Sequence, residues 1–130
     1  MTQAFIEQQK WLSRFATFHG IFYLITGVWP LADIESFLMI TGPKVDIWLV
    51  RTVGLLIAAT GIVLLIAVRK KEITVSIAWL AILNATFLAG VDIFYVQAGV
   101  ISRIYLLDAA VEISIVAIWF YLFPKKISLI

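Results

Sequence analysis

Four long apolar runs, at about 15–32, 46–68, 73–96 and 101–123, take up most of this 130-residue chain. A helix needs about 20 mostly apolar residues to cross a hydrocarbon layer roughly 30 Å thick, so each run is long enough to span it with some tilt. Hydrophobic residues make up 63% of the chain, charged residues 14%, and mean hydropathy is +1.06. A water-soluble fold would have nowhere to bury so much apolar surface. The later links between runs are short, which favours antiparallel neighbours. The predicted fold is therefore all-α, a single polytopic membrane domain over residues 1–130: an antiparallel bundle of four transmembrane helices. No stretch is left over for a soluble catalytic domain.

The first link differs from the others. Asp33 is placed to cap a helix start, and Gly42 followed by Pro43 signals its end, so a short interfacial helix is predicted between the first and second spans. Topology follows from the basic residues. Lys10, Arg14, Arg69, Lys70, Lys71, Lys125 and Lys126 fall on one side of a four-span chain, and the opposite link carries only Lys44. The basic side is expected to be cytoplasmic, giving a multi-pass protein of a bacterial inner membrane with both termini in the cytoplasm. Lys10 and Arg14 precede the first run as in a signal peptide, but Pro30 stands where cleavage after Ala32 would need a small residue, so the first span is expected to be retained.

Several function classes are excluded. The net charge of +2 comes from residues flanking the spans, which is a topology signal and does not indicate a nucleic-acid partner. Without cysteine there are no disulfides, thiolate metal sites or cysteine nucleophiles. A single histidine makes no shared metal site, and arginines near the carboxylates oppose a cation, so no metal and no cofactor are expected.

Function is instead suggested by charges inside the spans. Arg51, Asp92, Asp108 and Glu112 lie within apolar runs, with Arg103 nearer an end. Each costs about 2.5 to 3.5 kcal/mol at a helix centre unless a partner or water is supplied. Tyr105, Asp108, Glu112 and Trp119 form one stripe at steps of three, four and seven. Asn84 and Asp92 are read as one face of the third span; His19, Tyr23, Thr26 and Pro30 form one face of the first. Arg51, Gly54, Ala58 and Gly61 share a face of the second, where the small residues predict close helix packing. That face would carry Arg51 to Asp108, with Arg103 beside Asp92, which is also the purely structural reading of these charges as internal ion pairs.

The run 41–54, TGPKVDIWLVRTVG, resembles a stretch shared by small bacterial four-helix membrane proteins, and in length and helix count the chain resembles DoxX-like proteins. A second likeness is to the four-helix domain of sterol isomerases and the sigma-2 receptor. That likeness implies acidic and aromatic residues around an intramembrane pocket for amphiphilic ligands.

Three functions are compatible with these features. The first is binding, with conversion as an extension, of a small lipid-soluble ligand such as an isoprenoid, quinone or sterol-like molecule, in a polar pocket open to the non-cytoplasmic side. Glu112 and Asp108 would be its catalytic pair, Glu112 the proton donor and Asp108 ionised. Arg51, Asn84, Asp92, Tyr105, Trp119, Tyr23, Trp79 and His19 would line it. The second is proton-coupled transport, which with four spans calls for a homodimer. The third is an accessory or chaperone subunit of a membrane complex. The expected partners are membrane lipid and the small hydrophobic ligand.

Overall fold

The computed structural model describes residues 2–124, so Lys125 and Lys126 of the basic asymmetry lie outside the described residues. Within them the chain forms five helices: α1 Gln3–Ala32, α2 Ile34–Thr41, α3 Ile47–Lys70, α4 Val75–Gln97 and α5 Tyr105–Tyr121.

The helix ends follow from local chemistry. The Thr2 hydroxyl accepts from Phe5 N at 3.3 Å and starts α1, which is longer than its apolar run because the polar segment before Phe15 is also helical. Asp33 both ends α1, its N–H donating to Trp29 O at 2.9 Å, and caps α2 by accepting from Ser36 N at 3.2 Å. Gly42, at φ 98°, stops α2, as its position before Pro43 predicts. At the end of α3, Lys71 takes the left-handed conformation and Glu72 N donates back to Ala67 O at 2.8 Å. Thr74 then caps α4. The predicted fourth span is shortened: Ile101 to Ile104 make a turn, and helical hydrogen bonding starts only beyond it.

Helices α1, α3 and α4 are long and apolar enough to cross a membrane. Helix α5 has 17 residues, which extend about 25 Å.

Packing divides into two tight pairs. Along α1 and α3 the residue numbers run in opposite directions. Gly20 faces Gly61, and Gly27 faces Gly54 and Ala58. A Cβ on Gly61 would lie 2.6 Å from Gly20 O, and one on Gly54 2.5 Å from Gly27 O, so these backbones touch only because both sides lack side chains. The second pair, α4 and α5, meets through Ala78, Ala81, Ala85, Ala89 and Asp92 on one side and Ala109, Glu112, Ile115 and Trp119 on the other, all buried. Helix α1 also joins α5, through Trp119–His19, Tyr23–Glu112 and the Gln8 amide on Phe123 O. Contact between α3 and α4 is slight by comparison, and the two helices leave a cleft between them. Buried apolar side chains, Leu12, Ala16, Leu64, Ile82, Ile115 and Trp119 among them, concentrate toward the end of the molecule that holds the α3–α4 turn. The buried acids lie toward the opposite end.

Candidate functional site

Three observations define the site. The first is a pair of buried hydrogen bonds between α1 and α5. Tyr23 Oη donates to Glu112 Oε2 at 2.8 Å, and Trp119 Nε1 donates to His19 Nδ1 at 2.9 Å. All four residues are at most 2% exposed. Indole nitrogen can only donate, so a neutral His19 must carry its proton on Nε2. That nitrogen is buried without a hydrogen-bond partner, and the Tyr23 ring stands edge-on to the imidazole, 4.2 Å between centroids. One turn of α1 thus presents two linked polar side chains to α5.

The second is an acidic group behind Tyr23. Asp92, on the buried alanine face of α4, has Oδ2 without a partner, and the Asp108 carboxyl stands next to it. Glu112 is one turn from Asp108 on the same helix. Among the described residues no three His, Asp or Glu side chains converge closely enough to hold a metal ion. Asp92, Asp108, Glu112 and Tyr23 thus bring three carboxyls and a phenol together between α4, α5 and α1.

The third is the cleft between α3 and α4, about 500 Å³ in volume. Val53, Leu56, Ile57, Val63, Leu80, Phe87, Leu88 and Val91 give it apolar walls, Tyr23 lies at its floor, and Asn84 with Thr60 supplies polarity. The Asn84 amide donates to Thr60 Oγ1 at 2.9 Å, tying the helices together at mid-length.

Several expectations are corrected by this arrangement. Arg51 is exposed and forms no buried pair with Asp108. Its glycine face is filled by α1, whereas α5 packs on α4 and α1. Arg103 is exposed in the turn before α5, away from the buried Asp92. Asn84 and Asp92 do not share a face: eight residues leave them about 80° apart on a helix of 3.6 residues per turn, so Asp92 meets α5 while Asn84 meets α3. Trp79 is 43% exposed and packs on Phe120 and Phe123, outside the cleft. Tyr105 lies under the Lys44 ammonium, 5.0 Å from its ring centroid. The cleft is lined by α3 and α4 with Tyr23 of α1, and of the predicted lining residues it takes in only Tyr23 and Asn84.

Tyr23 and Glu112, with Asp92 and Asp108 nearby, and the His19–Trp119 pair come together where α1, α4 and α5 meet, whereas Asn84 stands apart, bonded to Thr60 across the cleft. Sequence reasoning missed Thr60, whose hydroxyl bonds both Leu56 O within α3 and the Asn84 amide across the cleft. It also missed the α3 wall of the cleft, whose residues are indistinguishable in composition from lipid-facing ones. No family model, no curated protein and no solved structure matches the chain.

Proposed function

We propose that α1, α3, α4 and α5 all cross the bilayer as an antiparallel bundle, and that the protein binds a small lipid-soluble molecule, isoprenoid, quinone or sterol-like, in the α3–α4 cleft. The observation that carries this reading is the cleft's make-up. Its volume of about 500 Å³ falls in the range of small-ligand sites, and its apolar walls with a few fixed polar groups match their chemistry. In a bilayer such a cleft fills directly from the lipid phase. Tyr23 gives the reading its chemical extension, because it is the residue that both lines the cleft and donates to Glu112. A bound molecule that gains or loses a proton would exchange it with the Tyr23 hydroxyl, with Glu112 as the proton reservoir behind it and Asp108 and Asp92 as the route onward.

Native mass spectrometry of the purified protein tests the binding claim. A co-purified apolar molecule is expected on the natural chain. It should be lost in Ala59→Trp, which fills the cleft, and kept in Ala110→Trp, which adds the same bulk on an exposed face of α5. Equal retention in both variants would place the molecule elsewhere and overturn the reading.

A further inference from the structure

Resting on that reading of the cleft, we infer that Asn84 selects its occupant: the amide oxygen, held toward the cleft by the Asn84–Thr60 bond, takes a hydroxyl-bearing apolar molecule in preference to a hydrocarbon or an ether.

Within α3 the Thr60 hydroxyl donates to Leu56 O at 3.1 Å, and its oxygen accepts from the Asn84 NH₂ group at 2.9 Å, so the NH₂ group faces α3. The amide carbonyl oxygen is left as an acceptor at the cleft with no donor from the described residues. It sits near the middle of α4, flanked by Leu80, Phe87, Leu88 and Val91. In hydrocarbon, water does not satisfy such an oxygen, and an acceptor left alone there carries a penalty that a ligand donor removes.

Tyr23 is no rival donor for this oxygen, because its hydroxyl proton goes to Glu112. The cleft thus presents a ligand with an acceptor at mid-depth and no free hydroxyl donor. Its walls run from Val53 to Val63 on α3 and from Leu80 to Val91 on α4, about 15 Å along the helix axes at 1.5 Å per residue. That length, with the Asn84 carbonyl oxygen at mid-depth, fits a compact lipid alcohol of isoprenoid size.

The test compares farnesol with farnesyl methyl ether, which keeps the chain and the oxygen but has no proton to donate, by titration into the detergent-solubilised protein with native mass spectrometry as the readout. The natural chain is expected to bind farnesol about tenfold more tightly than the ether, the worth of one hydrogen bond made in an apolar site. Asn84→Leu should bring farnesol down to the level of the ether. Thr60→Val, which releases the amide from its fixed orientation, should narrow the preference for farnesol over the ether. Equal binding of both probes to the natural chain overturns the inference while leaving the cleft reading standing, provided Ala59→Trp abolishes both. Binding insensitive to Ala59→Trp defeats the cleft reading itself. The ratio measured on the natural chain decides the matter even where Asn84→Leu does not fold.

Discussion

Tyr23 both lines the cleft and bonds to the buried Glu112. Its hydroxyl donates to a carboxyl that is only 2% exposed, so each partner satisfies the other in a place where neither meets water. Removing one leaves the other as a buried polar group without its partner, which costs about 1 to 3 kcal/mol. Tyr23→Phe is accordingly expected to lower thermal stability by about that amount. Glu112→Gln should fold normally, since the amide oxygen still accepts from Tyr23, yet it cannot relay a proton. Thermal unfolding in detergent checks both, and the pair behaves as a unit: Tyr23→Phe with Glu112→Leu is expected to be less destabilised than the two single changes added together. Full additivity would mean that the hydrogen bond contributes nothing. His19 and Trp119 show the same logic one turn away, with the imidazole tautomer set by an indole that can only donate.

At the scale of elements, the α1–α3 seam is where glycine is decisive. Gly61 lies against the backbone of α1, and a methyl group there would meet Gly20 O at 2.6 Å, a contact relieved only by moving one helix. Gly90 on α4 has nothing within 4 Å of such a methyl group. Gly61→Ala is therefore expected to destabilise by about 1 to 3 kcal/mol through overpacking, whereas Gly90→Ala is expected to be neutral or stabilising by up to about 1 kcal/mol from helix propensity. Thermal unfolding of the two variants side by side checks this, and similar losses in both would show that the seam is not tightly packed. The close-packing role of Gly54 and Gly61 was readable from their spacing, as were the capped helix at Ile34–Thr41 and the burial of Glu112 and Trp119 on one face of α5, while Asp108 and Tyr105 of the same predicted stripe are half-buried. What spacing did not reveal was which neighbour each face would meet. Arg51 falls on the glycine stripe, but only the pairing of α3 with α1 decides that it points away from the acids. Asn84 and Asp92 were merged because an eight-residue step is close to two turns, and the remaining 80° is enough to send them to different helices. The cleft was not legible because it arises from the slight contact between α3 and α4, a property of neither helix alone.

For the molecule as a whole, the reading of the cleft depends on which helices cross the bilayer and in what sense. The α3–α4 turn carries Arg69, Lys70 and Lys71, and the start of α1 carries Lys10 and Arg14, while the segment from Asp33 to Asp46 has Lys44 as its one basic residue. The proposed four-span topology, argued from this asymmetry, puts the first two in the cytoplasm and the last outside it. The paired helix contacts are consistent with this, since Gly20 meets Gly61 while Gly27 meets Gly54, bringing the beginning of α1 to the end of α3. Helix α5 is the test case, because its 17 residues sit at the short end of what crosses a hydrocarbon core. Its contacts with α1 run from Glu112 near Tyr23 to Phe123 near Gln8, which puts its far end beside the beginning of α1. The chain has no cysteine of its own, so single cysteines can be placed without background. With a membrane-impermeant maleimide on intact bacterial cells expressing the protein, Ser36→Cys is expected to react, while Glu72→Cys and Tyr121→Cys react only after the inner membrane is opened. Labelling of Tyr121→Cys together with Ser36→Cys would mean that α5 turns back without crossing, and the four-span bundle would fall. Labelling of Glu72→Cys with Ser36→Cys would mean that α3 does not cross, and the cleft beside it would then face water instead of lipid.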